Sequence, residues 1–267
     1  MSQPLARTDG KTLEILVVND DGITAPGIRA LAEAVAPFGN LTIVAPDSPQ
    51  SGMGHAISVG KPLRLKPMQL YDRWQGFACN GTPADCVKLA TGVILHHKPD
   101  LVVSGINHGV NSSLSVFYSG TISAAMEGAI EGIPAIAFSL SDYSVEADFT
   151  ASKHVVAQVV EKAIAHGIPH NTILNVNIPK RPLELLKGFK IARQAIGRWI
   201  EEFDTRIDPY GQQYYWLTGK FQLDDTGDDT DEYALANGFV SIVPVQLDVT
   251  AHFALGDLNT WHLGLNR

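Results

Sequence analysis

The chain has 267 residues, 45% of them apolar and 18% charged, enough to bury a large core and too apolar for wholesale disorder. Acidic residues outnumber basic ones by 28 to 20, and the formal net charge of −8 argues against a general nucleic-acid or anionic-membrane surface. Cys79 and Cys86 form no CxxC pair, the N-terminus has no signal-like apolar stretch, and no run approaches the roughly 18 residues of a membrane span, so the expectation is a soluble cytoplasmic protein.

Residues 13–19 (LEILVVN) form a short continuous apolar run, as in strands buried on both faces. Pro26 opens a helix, and Ile28, Leu31, Ala32 and Val35 keep helical spacing up to the Phe38-Gly39 stop. Residues 41–45 predict a second buried strand, so the beginning reads as a β-α-β unit. A β-rich stretch over residues 57–80 interrupts the pattern. Thr82 and Pro83 then begin a helix towards Thr91, and residues 101–104 are the next strand. Thr121 is expected to cap a helix with Ile122, Ala125, Met126, Ala129 and Ile133 on its apolar face. A strand at 135–139, a helix at 151–166 and a strand at 173–178 continue the alternation. The fold class is therefore α/β, a Rossmann-like, doubly wound and mostly parallel sheet.

Beyond Pro182 the character changes. Residues 212–218 and 239–243 have aromatic or β-branched strand character, and between them lies the acidic run Asp224 to Glu232. Two units are expected: a Rossmann-like core over 13–181 and a β-rich extension over 182–267 that forms hairpins and an extended arm.

Ligands of open α/β sheets bind beyond the carboxyl ends of the strands. The first strand ends in Asn19-Asp20-Asp21-Gly22, where adjacent carboxylates repel unless a divalent cation shares their oxygens. A solvated turn is the plainer reading of the same four residues. The second strand runs into a loop rich in Gly and Ser, residues 46–55, which permits close backbone approach to a ligand. It is neither a dinucleotide fingerprint nor, at Ser51, a nucleophile elbow. After residues 101–104 come Asn107, which offers a carbonyl oxygen to the same cation, and His108, either a proton carrier or a packing histidine.

Two segments, Asn80-Gly81-Thr82 and Ser119-Gly120-Thr121, place Gly before Thr at helix starts, where free amides and the helix dipole favour phosphate. Each also reads as an ordinary cap. Their convergence on one sheet edge with acidic and amide groups points to phosphoryl chemistry around a hard cation, Mg²⁺ or Mn²⁺.

Several long segments, in order, resemble the SurE family, the survival-protein 5′/3′-nucleotidases. They are residues 15–31 (ILVVNDDGITAPGIRAL), 45–58 (APDSPQSGMGHAIS), 80–88 (NGTPADCVK), 104–111 (SGINHGVN) and 118–128 (YSGTISAAMEG), with 231–244 similar to the family's tail. The resemblance implies divalent-metal hydrolysis of nucleoside monophosphates and a homodimer or homotetramer built through the C-terminal extension. It adds Ser51 to Asp20, Asp21 and Asn107 as metal ligands. Phosphate binding falls on Asn80, Gly81, Thr82, Ser119, Gly120 and Thr121. Asp20 or Asp21 is expected to orient or deprotonate the attacking water. Residues 47–50 lack an arginine common in the family, and residues 112–116 replace a stretch rich in Gly and Asp. Both departures leave substrate preference open. A receiver-like signalling domain lacks its later Asp and Lys here; a non-catalytic nucleotide sensor stands as the alternative.

Overall fold

A computed structural model describes residues 12–261 and 263 of the chain. Strand β1 (Leu13–Val18) is followed by helix α1 (Pro26–Val35) and strand β2 (Gly39–Pro46). Pro26 occupies the first helical turn, where its missing N–H costs nothing. The interrupting β-rich stretch is the hairpin of β3 (Leu65–Leu70) and β4 (Trp74–Cys79). Helix α2 (Pro83–Leu89) runs on through a π-helical turn, Ala90–Leu95, into β5 (Leu101–His108). Then come α3 (Gly120–Ile130), β6 (Ala135–Leu140), α4 (Thr150–His166) and β7 (Thr172–Ile178). Strand β5 is four residues longer than the expected 101–104, so Asn107 and His108 sit on the strand's own end.

The remaining elements are β8 (Phe189–Ile191), β9 (Gly197–Ile207), β10 (Gln213–Leu223), α5 (Asp231–Ala236), β11 (Val240–Gln246) and α6 (Leu255–Asn259). The main sheet has the order β3-β4-β2-β1-β5-β6-β7-β11-β8. It is parallel from β4 through β7, while β3 runs antiparallel to β4 and β11 antiparallel to β7, with β8 parallel to β11. Thus β11 and β8, although late in the chain, extend the main sheet. Only β9 and β10 stand apart, as an antiparallel ribbon.

Because residues alternate across a strand, the sheet feeds two cores. Ile15, Val17, Val103, Ile136 and Phe138 pack on one side with Ile28 and Leu31 of α1 and Val156 of α4. Leu16, Val18, Val102 and Ala137 pack on the other with Val87 of α2 and Ile122 of α3. Burial on both faces explains why these strands read as continuous apolar runs. Among the described residues no helix is long and apolar enough to cross a membrane.

One contact sets the position of α1. A Cβ at Gly27 would lie 2.0 Å from the carbonyl oxygen of Ile106, so glycine lets the helix start rest on β5 beside Asn107. Gly27→Ala must displace backbone rather than a side chain, at a cost at the upper end of overpacking, about 3 kcal/mol. The expected result is a melting temperature lower by roughly 6–12 °C. An unchanged melting curve would show that α1 does not need this close approach.

Candidate active site

Strand β1 lies between β2 and β5, the place where the strand order reverses and a crevice opens beyond the strand ends. Asp20 and Asp21 follow β1 there, and Asn107 and His108 end β5 alongside. The β5–β6 register shifts between Ser104 and Asn107, an irregularity of the kind that re-aims side chains at a sheet rim.

Asp20 is only 3% exposed. Its Oδ1 accepts a hydrogen bond from the Thr121 hydroxyl at 2.5 Å, and a Cβ on Gly120 would meet the Asp20 Cβ at 2.7 Å. The start of α3 is therefore seated directly on this carboxylate. Burial pushes the Asp20 carboxyl up to about 6, and the neighbouring Asp21 charge adds to that, while the Thr121 hydroxyl pulls the other way.

Asp21 is held by His108, whose backbone N–H and Nδ1 both lie 3.2 Å from Asp21 Oδ2. The imidazole packs edge-on against Phe149 with ring centroids 5.2 Å apart, and its Nε2 is buried without a partner among the described residues. Asn107 donates from Nδ2 to the carbonyls of His108 at 3.1 Å and Gly109 at 2.8 Å. With the amide nitrogen spent, its Oδ1 is the atom left for a ligand. Asn19, fully buried, donates to the Gly22 carbonyl and leaves its own Oδ1 unpartnered.

The loop carrying Ser51 is pinned along its length. Gln50 N donates to the Asp20 carbonyl at 2.8 Å, Gly54 N to Tyr118 O at 3.1 Å, and the Thr82 hydroxyl to Ala56 O at 2.7 Å. His55 Nε2 lies 2.9 Å from Glu127, a buried carboxylate that also accepts from Lys88, and Ser58 N donates to Asp85. Burial would raise the Glu127 carboxyl, but the hydrogen bonds from His55 and Lys88 outweigh it and hold it below its ordinary value. Ser51 itself is exposed and follows Gln50 directly.

The two Gly-Thr helix starts differ. Thr82 caps α2: its hydroxyl accepts from Asp85 N while Asp85 Oδ2 accepts from Thr82 N, a closed capping box. Asn80 is bonded to the backbone of Arg64 and Pro62. The polar groups of this segment are thus engaged inside the protein, with Asp85 supplying the anion at the helix start. At α3 the cap is Ser119, whose Oγ accepts from Ile122 N at 3.1 Å, correcting the expectation that Thr121 caps this helix. Thr121 is the second residue of the helix, and its hydroxyl is donated to Asp20 instead.

Sequence reasoning missed Glu127 and the Asp21–His108 contact. Glu127 lies within the 118–128 segment on an otherwise apolar helix, and a carboxylate there was a readable sign of a buried partner. The acidic run also differs from an exposed arm. Asp225 and Asp229 grip Arg193, and the buried Asp231 accepts from Ser113 N at 2.8 Å and Ala195 N at 2.9 Å. Those bonds tie the base of β9 to the loop that follows β5.

The donor set fits a hard divalent cation. It offers two carboxylates and neutral amide and hydroxyl oxygens, the ligand types that hard cations take. The buried, repelled Asp20 is a carboxylate whose charge needs compensation.

Known proteins resemble this chain over nearly its whole length. The family profile described as survival protein SurE matches residues 15–201. The 5′-nucleotidase SurE of Christiangramia forsetii is 55% identical over 93% of this chain and 96% of its own. That of Cytophaga hutchinsonii is 55% identical over 97% of each. The crystal structure of the SurE protein from Aquifex aeolicus superposes with a TM-score of 0.80 at 41% identity, covering 94% of this chain and all of that one.

The raised Asp20 carboxyl gives a stability prediction for metal-free protein. Well below 3.8 both folded and unfolded chains carry the neutral acid, so there is no penalty. Between the ordinary value of 3.8 and about 6 the unfolded chain ionises first, so stability falls as pH rises. Above pH 6 the full cost, up to about 3 kcal/mol, applies. In chelator at pH 7.5, Asp20→Asn should melt above wild type by roughly 3–9 °C, and the gain should fade as pH falls towards 3.8 and below. A variant less stable than wild type at pH 7.5 would contradict the assignment of strain to this charge.

Proposed function

The chain belongs to the SurE family, and on that premise we propose that it is a 5′-nucleotidase, hydrolysing nucleoside monophosphates to nucleoside and inorganic phosphate. The observation that carries this reading is the carboxylate pair at the sheet's switch point, Asp20 seated on the start of α3 and Asp21 bonded to His108 beside Asn107. Asp20, Asp21, Ser51 and Asn107 would hold Mg²⁺ or Mn²⁺. Bound there, the ion supplies Lewis-acid charge at the phosphoryl oxygen and lowers the pKa of water.

The chain's own groups do the positioning. Thr121 fixes one oxygen of Asp20, the other lies beside Gly120 at the helix start, and His108 fixes Asp21. Asp20 or Asp21 orients the attacking water and takes its proton. Ser119, Gly120 and Thr121 bring the first amides of α3, which have no partners within the helix, to the phosphate, and the helix dipole adds to their pull. We assign Asn80, Gly81 and Thr82 chiefly to pinning the loop that carries Ser51, next to the phosphate rather than on it.

The ribbon of β9 and β10 is read as an oligomerisation arm. Trp199, Phe203, Ile207, Tyr215, Leu217 and Phe221 share one of its faces, and all are at least partly exposed. An isolated two-stranded ribbon is marginal in water, so this face calls for a second copy of the chain, giving a homodimer or a pair of dimers. The buried free thiols Cys79 and Cys86 suit the reducing cytoplasm.

Phosphate release from nucleoside monophosphates tests the chemistry. Chelator should abolish it and Mg²⁺ or Mn²⁺ restore it, while Asp20→Asn and Asp21→Asn should each lose about two orders of magnitude or more. Full activity in chelator, or in both variants, would refute the mechanism. Light scattering should find at least a dimer at micromolar concentration, and Phe203→Glu with Leu217→Glu should yield monomer; a monomeric wild type would remove the arm's assigned role.

A further inference from the structure

Helix α3 grips the proposed cation site in two places. At its start, Thr121 donates to Asp20. Six residues on, roughly 9 Å along the axis, Glu127 meets His55 of the loop that carries Ser51. Glu127 is only 3% exposed and divides its carboxylate between two elements. Its Oε1 accepts from Lys88 Nζ of α2 at 2.5 Å, and its Oε2 lies 2.9 Å from His55 Nε2. A carboxylate only accepts, so the imidazole Nε2 is the donor in this contact. With Lys88 occupying one oxygen, the other is kept for the loop.

That loop has little else to hold its tip. Ser51, Gly52 and Met53 are exposed, and none of them packs into either apolar core. Among the described residues from Ser51 to Ile57, His55 is the one whose side chain hydrogen-bonds another element. The other ties are made by the loop's backbone, from Gly54 N to Tyr118 O and from the Thr82 hydroxyl to Ala56 O. His55 stands four residues from Ser51, and its side chain is 30% exposed, so it serves a contact rather than the core. We propose that His55 is a positioning residue of the metal site: docked on Glu127, it fixes Ser51 at the distance from Asp20 and Asp21 that one shared cation requires. A small octahedral ion such as Mg²⁺ demands near-ideal ligand placement, so a displaced hydroxyl costs affinity. One helix then sets both halves of the ligand set, a carboxylate through Thr121 and a hydroxyl through His55. The inference rests on the metal-site reading given above and deepens it. Neither His55 nor Glu127 touches the ion; groups that orient a ligand in this way typically carry about ten- to a hundredfold in metal affinity.

The test is calorimetric titration of Mn²⁺ into chelator-stripped, full-length protein as wild type, His55→Ala, His55→Gln and Asp20→Asn, with each also melted in chelator. His55→Ala should bind Mn²⁺ about tenfold more weakly. His55→Gln keeps an N–H donor for Glu127 and should recover most of that loss. Saturating Mn²⁺ should return kcat for nucleoside monophosphates in His55→Ala to the wild-type value, because the ligands themselves are intact. Unchanged Mn²⁺ affinity in His55→Ala would overturn the proposal, and a lowered melting temperature beside it would leave His55 a structural tie only. A His55→Gln variant as weak as His55→Ala would also overturn it, since the imidazole would then act otherwise than through Glu127. The Asp20→Asn arm separates the two readings. Affinity lost there and kept in His55→Ala refutes the positioning role alone; affinity kept in Asp20→Asn removes the site and the role with it. Mn²⁺ binding that responds to both substitutions, in a protein that releases no phosphate, would uphold the positioning role and refute the nucleotidase reading.

Discussion

The contact between the Asp20 carboxylate and the first turn of α3 governs the arrangement of this protein. A strand brings the carboxylate to the sheet edge, a helix start is set on it through the Thr121 hydroxyl, and a side chain at position 120 would break the fit. The same contact buries a charge beside a second one. In the absence of a counter-charge that is an unfavourable arrangement, and proteins keep such arrangements where a ligand relieves them. The helix start also supplies amides and dipole, so cation and phosphate are drawn to the same few ångströms from opposite sides.

Around this contact, buried polar groups act as fasteners. Glu127 collects His55 from the Ser51 loop and Lys88 from α2. Asp231 collects Ser113 and Ala195, linking the loop after β5 to the root of the ribbon. Asn111, Ser139, Asn175 and Asn177 form a further buried chain of hydrogen bonds at the ends of β6 and β7. Each group is costly to bury alone and acceptable when satisfied, so the loops around the crevice are held by specific geometry rather than by apolar packing. That gives a catalytic edge its rigidity without filling the crevice.

Much of this was readable in the sequence, and the limits have physical causes. The apolar runs of β1, β2 and β6 and the helical spacing after Pro26 announce the doubly wound sheet, because burial on both faces leaves no other pattern. Asp20, Asp21 and Asn107 were gathered by the rule that ligands bind at strand ends, and in the structure Asp21 is bonded to His108, the residue next to Asn107. What could not be read is how a short polar motif divides its labour. Thr82 and Thr121 stand in similar Gly-Thr contexts, yet one closes a capping box and the other serves a carboxylate on a neighbouring strand. Local spacing does not encode which distant partner a hydroxyl meets. Likewise the run from Asp224 to Glu232 does not announce its partners, because the arginine and backbone amides that absorb its charges lie more than thirty residues earlier.

The most direct measurement is a calorimetric titration of Mn²⁺ into chelator-stripped protein, for the natural chain and for the Asp20→Asn and Asp21→Asn variants. One cation should bind per chain, Mg²⁺ should compete for it, and each substitution should weaken binding at least about tenfold. Affinity and stoichiometry unchanged in both variants would place the cation elsewhere and contradict the strand-tip site.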